Sequence, residues 1–226
     1  MANTQYKFYE CENPDCRLRF PGYEGFHRWN HCPECRSNTH VVAVVQGTDE
    51  QSNQVTYQRK WLVDALLDNI RSSWNVGSIF RSADGTGIHK IYLCGISPTP
   101  ENPKVRKTAL GAEENIPWEH SKNGVETAII LKSQGCKLWV LENIAKTVPL
   151  FQIELPENNS PVVLIFGNEV SGVDPDIIDL CDQVISIPMV GKKSSYNVAA
   201  AFGIAASFLL YRQSISQGSF NIFPSI

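Results

Sequence analysis

No stretch of this 226-residue sequence is apolar for long enough to cross a bilayer. The longest nearly continuous apolar run, 198–211, covers 14 positions, several of them small, where a membrane span needs about 20. It is expected instead as a buried helix, and no membrane partner is expected. The first ten residues lack the apolar core of a secretory signal, and the cysteines number seven, an odd count. Both point to a reducing cytoplasm rather than to an exported disulfide framework. Positive charge is not in excess either: 20 Lys and Arg stand against 23 Asp and Glu, for a net charge of −3. A chain held to nucleic acid by diffuse attraction alone would be basic, so phosphate-binding charge has to be local here. Lys104, Arg106 and Lys107 form one such cluster, and Lys192 with Lys193 another. No GxGxxG follows the first strand-like segment and no GxxxxGK[ST] is present, which ranks a Rossmann-type oxidoreductase last among the enzyme readings.

Aliphatic residues are scarce between Tyr6 and Thr39, a segment rich in Cys, Pro, Gly and aromatics. Such a segment cannot build a hydrophobic core and needs a staple. Cys11 and Cys16 are separated by four residues, Cys32 and Cys35 by two, and fifteen residues lie between the pairs. Four thiolates at this spacing suit a closed, tetrahedral, structural Zn2+ site, with no open position for metal catalysis. His27, His31 and His40 are alternative donors, and a flexible tail with four unliganded thiols is the competing reading. Arg17, Arg19, Phe20, Tyr23, Phe26, Arg28 and Trp29 interleave charge with aromatic rings. That mixture suits stacking on a nucleic acid, and packing around a metal accounts for the rings equally well. The segment resembles zinc ribbons in general.

The domain expectation is a zinc-ribbon-like unit at 1–46, a polar linker at 47–60, a main domain at 61–212 and a tail at 213–226. In the main domain, short apolar segments at 62–67, 90–94, 137–141, 162–166 and 184–187 alternate with helix-like stretches at 76–84, 124–134, 174–180 and 197–212. Gly135 supplies a helix stop, and Asp174-Pro175 supplies an N-cap followed by Pro at the first helical position. Strand–helix alternation predicts an α/β domain with a parallel sheet covered on both faces.

Three segments carry the chemistry: NVGSIFRSADGTG at 75–87, VVLIFGNEVSGVD at 162–174 and ISIPMVGKKSSYNVAAAFGIA at 185–205. In order and spacing they resemble the signatures of the SpoU/TrmH branch of the SPOUT methyltransferases, over about 61–212. The resemblance implies a parallel-sheet SPOUT domain with a C-terminal deep trefoil knot, an exception to the rule against threaded chains. It also implies a pocket for S-adenosylmethionine, a homodimer with the active site near the subunit interface, and RNA (tRNA or rRNA) as the substrate. Members of this branch mostly methylate a ribose 2′-hydroxyl. Carried over by motif position, Gly167, Ile187 and Tyr196 contact the cofactor; the branch usually has leucine at the position of Tyr196. Arg81, Asn75, Glu169, Ser195 and Asn197 occupy the functional positions.

Attack of a 2′-oxygen on a sulfonium methyl requires loosening the hydroxyl proton and aligning the oxygen. Arg81, treated in the branch as a general base, has a side-chain pKa of about 12.5–13.8, so clamping a phosphate and stabilising a developing alkoxide is the milder role. Glu169 has three readings: orienting Arg81, contacting RNA, or forming a structural ion pair. Ser195 and Asn197 precede the last helix, where capping is their simplest role. A protein that retains the fold but binds RNA without turnover is the alternative function.

Overall fold

The computed structural model describes residues 5–23, 30–46, 62–156 and 159–215. The expected linker at 47–60, most of the tail at 213–226, and Phe26, His27, Arg28 and Trp29 lie outside the described residues. Contacts divide the chain into two units, Met1–Thr56 and Tyr57–Ile226.

In the first unit, β1 (Gln5–Cys11), β2 (Arg19–Tyr23) and β3 (Thr39–Gln46) form an antiparallel sheet in the order β2-β1-β3. Apart from Cys11 and Cys32, no apolar side chain is buried among the described residues of this unit. Two turns stand in for a core. In each, the amide of the first cysteine closes a loop, Cys11 N donating to Leu18 O and Cys32 N to Ser37 O. In each, the residue after the second cysteine is an arginine in the left-handed region, Arg17 at φ 48° and Arg36 at φ 66°. That conformation costs a non-glycine residue about 1–2 kcal/mol, so both turns are held by something beyond their own backbone.

The second unit is a seven-stranded sheet. Its strands are β4 (Val63–Asp68), β5 (Ile91–Cys94), β6 (Trp118–Ser121), β7 (Lys137–Leu141), β8 (Val148–Pro149), β9 (Val162–Phe166) and β10 (Gln183–Ser186). All pairings are parallel, in the order β6-β5-β4-β9-β7-β10-β8. Its helices are α1 (Ser73–Thr86), α2 (Pro103–Ala109), α3 (Ala112–Asn115), α4 (Gly124–Ser133), α5 (Pro175–Leu180) and α6 (Val198–Ile215). Among the described residues, no helix is long and apolar enough to cross a membrane.

The all-apolar VVLIF of β9 follows from its central place, buried along its whole length on both faces of the sheet. On β4, Val63, Ala65 and Leu67 turn to the face packed by Phe80 of α1 and Phe202 and Leu209 of α6. Leu66 turns the other way, toward Leu131 of α4 and Ile177 of α5. Helix ends follow the sequence: Ser72, Asn102, Asn123 and Asp174 each cap with a side-chain oxygen, and Pro103 and Pro175 open α2 and α5.

Five strands and four helices lie where the sequence placed them, within one to three residues at most ends. The helix expected to be buried is an exception. In α6, Phe202, Ala205, Ala206 and Leu209 face the core, but Ala200, Ser207 and Tyr211 are exposed. Within the single chain its small residues lie on both sides, Ala205 and Ala206 in the packed stripe and Ala200 outside it. The sequence reading also passed over β6, β8, α2 and α3.

Candidate functional site

The chain ends of β7, β9 and β10 open onto a cleft of about 530 Å³, within the usual 300–1,000 Å³ of a small-molecule site. Its apolar lining comes from Leu141, Phe166, Ile187, Met189, Val198 and Ala201, and its polar lining includes Glu142, Asn143, Asn168, Glu169 and Ser195. Of the residues marked by sequence, Gly167, Ile187, Tyr196, Glu169, Ser195 and Asn197 all line this cleft. Asn75 does not line it but is bonded to two residues that do.

The three motifs meet at one point through that asparagine. Asn75 Nδ2 donates to Glu169 Oε1 over 2.8 Å, and Asn197 Nδ2 donates to Asn75 Oδ1 over 3.1 Å. Both ends of the Asn75 amide are thus engaged, by partners 94 and 122 positions away in sequence. Asn197 also caps α6, its Oδ1 accepting from Ala199 N and Ala200 N. The capping role and the site role coexist because the amide offers an acceptor to the helix and a donor to Asn75.

Glu169 is more than a solvated charge. Its carboxylate accepts from Arg71 N at 2.9 Å, from Ser72 N at 3.1 Å and from Asn75. Partial burial would push this carboxyl up, but the amide donors of Arg71, Asn75 and Ser72 outweigh it and hold it below the usual carboxylate range. Glu169 is therefore an ionised fastener between the second motif and the start of α1. The structure gives its oxygens to backbone and amide groups rather than to Arg81. A proton-accepting role suits it poorly.

Gly167 has no room for a side chain: a Cβ there would run into the backbone of Gly172 and Val173. The loop folds back on itself, with Asn168 and Gly172 exchanging two backbone hydrogen bonds of 3.0 and 2.9 Å. Asn168 pins it further. Its Oδ1 accepts from Val170 N and Ser171 N, and its Nδ2 donates to Asn69 O. Glu142, at the end of β7, accepts from Val173 N at 3.2 Å. Asn143 Nδ2 donates to Ser194 O at 2.7 Å, tying the segment after β7 to the one before α6. Sequence reasoning missed Glu142, Asn143 and Asn168; the available signal was the place of Asn168 within the second motif and of Glu142 and Asn143 at the end of β7.

Arg81 stands apart. It is exposed on α1, does not line the cleft, and makes no hydrogen bond or ion pair among the described residues. On a 3.6-residue helix, Asn75 and Arg81 point about 120° apart, so one chain cannot aim both at one place from α1.

In the first unit, the sulfurs of Cys11, Cys16, Cys32 and Cys35 all lie within 4.8 Å of one another. Cys11 and Cys35 are 3.4 Å apart, Cys16 and Cys32 3.8 Å. These spacings are too long for a disulfide at about 2.05 Å. A zinc–sulfur bond of about 2.3 Å places tetrahedral sulfurs about 3.8 Å apart, in the middle of the observed range. Burial pushes the Cys11 thiol up to about 12, while the Ser37 hydroxyl and amide draw Cys35 down to about 6.

A parallel α/β sheet whose strand ends open onto a motif-lined cleft defines a small-molecule-binding α/β domain. The chain belongs to the SpoU rRNA methylase family, which it matches over residues 63–207. It is similar to the 23S rRNA (guanosine-2′-O-)-methyltransferase RlmB of Pectobacterium atrosepticum, 32% identical over 140 residues, covering 62% of this chain and 55% of that protein. It is also similar to the 23S rRNA (uridine(2479)-2′-O)-methyltransferase of Streptomyces viridochromogenes, 30% identical over 78% of this chain and 61% of that one. The chain thus spans little more than half the length of these relatives. Among solved structures, the SpoU methyltransferase AviRb from S. viridochromogenes in complex with AdoMet superposes with a TM-score of 0.62, at 25% identity, over 80% of this chain and 71% of that one. The TrmH/SpoU tRNA modifying enzyme of A. aeolicus gives a TM-score of 0.62, at 25% identity, over 71% of this chain and 80% of that one.

Proposed function

We propose that this chain is an S-adenosylmethionine-dependent RNA methyltransferase of the cytoplasm that modifies a ribose 2′-hydroxyl of rRNA or tRNA. The observation that carries the reading is the convergence of Asn75, Glu169 and Asn197, one from each motif, at the lip of the cleft. The cleft's volume and mixed lining fit a molecule of the cofactor's size and character, with Gly167, Ile187 and Tyr196 along its wall. When bound, S-adenosylmethionine supplies an electrophilic methyl group.

The chain's own residues would do the rest. Glu169 and Asn75 fix the start of α1 against the second motif, and Asn197 locks the third motif to the same point. Ser195 presents a hydroxyl to the cleft for orienting the ribose. Arg81 holds a phosphate and steadies the charge that grows on the 2′-oxygen as its proton leaves. The position of Arg81 away from the cleft of its own chain is what favours a non-catalytic RNA-binding protein as the second reading. A homodimer answers it, because a second copy would bring another Arg81 to the cleft. In keeping with the family resemblance, we take the C-terminal part of this domain to be threaded as a deep trefoil knot. The four cysteines hold structural Zn2+ in a ribbon at 1–46, with the linker at 47–60 and the catalytic domain at 61–212.

The test is tritium transfer from labelled S-adenosylmethionine to RNA from cells lacking the protein, followed by mass spectrometry of nucleosides. One restored 2′-O-methyl nucleoside is expected, lost with Arg81→Ala. Full transfer by Arg81→Ala would remove both catalytic roles of that residue. Cofactor binding with RNA binding but no transfer would establish the second reading.

A further inference from the structure

Outside the cleft, the roles above leave an exposed aromatic side chain unused. Trp74, one residue before Asn75, is 54% exposed on the first turn of α1. Burial along α1 shows what surrounds it. Val76, Gly77, Ile79, Phe80 and Ala83 are buried, whereas Trp74, Ser78, Arg81 and Gly85 are not, and these four share one face of a 3.6-residue helix. On one flank, α2 packs so closely that a Cβ on Gly77 would lie 2.7 Å from Thr108 Cβ. On the other, α6 approaches at Gly203, where a Cβ would lie 3.7 Å from Ser82 Oγ. Trp74 lies at the cleft end of this stripe, and Arg81, about 10 Å along it, is the part that the proposed homodimer turns toward the second copy.

The Trp74 end joins the cleft. Arg71 and Ser72 donate their backbone amides to Glu169, so the turn carrying Trp74 is fastened to the cleft's lip. Ile96, 66% exposed, borders the same turn, its amide donating to Asn69 Oδ1. Asn102 Nδ2 donates to Ser73 Oγ at 3.3 Å, bringing the start of α2, where Lys104 follows two residues on, against the first turn of α1. Lys104 and Lys107, three apart, lie on one face of α2. Arg71, Lys104 and Lys107 are exposed, and none forms an ion pair among the described residues. In a chain of net charge −3, Arg71, Lys104 and Lys107 put three cations without ion-pair partners on the segments that flank the turn carrying Trp74, with Glu169 and Glu101 the carboxylates nearest in those segments.

We propose that Trp74 is a stacking platform for a base beside the methylated nucleotide, with Arg71, Lys104 and Lys107 holding the flanking phosphates. The RNA at this lip is single-stranded, because an unpaired base exposes the face that an indole stacks on. A protein interface would instead deplete charge around its aromatic anchor. This inference rests on RNA being the substrate and adds which part of it is read, and where.

The probes are fluorescein-labelled U12 and A12 single strands and a 12-base-pair RNA duplex, followed by anisotropy across a salt titration. S-adenosylmethionine affinity by calorimetry and oligomeric state by sedimentation are measured on the same samples. Trp74→Ala is expected to weaken single-strand binding by roughly tenfold, within the range for loss of one stacked base. Duplex binding and cofactor affinity should hold, and Trp74→Phe should recover most of the loss. Lys104→Ala with Lys107→Ala should lower the slope of log K against log salt by about 1.4 on single strands. Should Trp74→Ala fail to fold, Trp74→Leu keeps bulk without a π-face and carries the same comparison. Unchanged single-strand affinity, an equal loss for duplex and single strand, or a dimer that dissociates on loss of the indole would each overturn the proposal. Absent methyl transfer alongside the expected Trp74 effect would instead reject the methyltransferase reading and leave this surface standing.

Discussion

The two units of this chain solve one problem by opposite means. The sheet unit buries apolar strands from both sides, so its stability is distributed over many contacts. The described residues of the first unit bury no apolar side chain except those of two cysteines, and a stacked Tyr9–Phe20 pair is among the few packed features it has. Its order is concentrated in four sulfurs. A distributed core fails gradually under substitution, whereas a concentrated one fails at once.

The largest effect that would expose this contrast is metal removal. A strong chelator, or Cys32→Ser, is expected to unfold the first unit while leaving the sheet unit near its original melting temperature. A structural zinc contributes about 10–16 kcal/mol of folding free energy in small domains. Hydrogen exchange read separately over 5–46 and 62–215 distinguishes the units, and unchanged protection in both would remove the metal from the account. Next comes Phe202→Ala, which empties a fully buried site against Phe166. A loss of about 3–5 kcal/mol is expected in denaturant unfolding of the sheet unit, with metal content unaltered.

Within the sheet unit, Asn75→Ala removes the one amide that joins Glu169 to Asn197. Methyl transfer should fall about 100-fold through misplacement of the site, with cofactor affinity within a few-fold of the parent. A parallel fall in cofactor affinity would mean that Asn75 shapes the cleft itself. The smallest effect concerns acid. The folded-state pKa of Glu169 is depressed, so its stabilising contribution is present above the usual value of 4.5 and is lost as pH falls through the folded value. Glu169→Gln should therefore flatten the acid limb of stability against pH by about 1 kcal/mol or less. An acid limb of unchanged steepness would place the proton uptake elsewhere.

What the sequence revealed follows the same contrast. Central strands such as β9 were legible because burial on both faces demands a continuous apolar run. Edge strands were not: Trp118–Ser121, reading WEHS, and Val148–Pro149 carry too little apolar pattern to stand out. In the first unit the cysteine spacing was legible, but β1 and β2, reading QYKFYEC and RFPGY, carry no aliphatic pattern; β3, reading THVVAVVQ, carries a β-branched run and was legible in principle. The cleft residues could be read one by one from their motifs. Their bonding could not, because the partners of Glu169 lie 94 to 98 positions away and two of them are backbone amides. The helix phase that separates Arg81 from Asn75 was already implied by their six-residue spacing.

The position of β9 has a consequence for how the molecule is made. Strands β4 and β7 lie on either side of it and never pair with each other. A growing chain that has emerged only as far as residue 161 holds one partial sheet, β6-β5-β4, with a raw edge at β4, and two strands, β7 and β8, that have no partner yet. Joining β7 to that sheet waits for the five residues of β9, and β8 joins only when β10 follows; such late, long-range pairing is slow and leaves edges open to misassociation. Synthesis of this protein should therefore lean on chaperones most heavily in the interval just before that strand arrives.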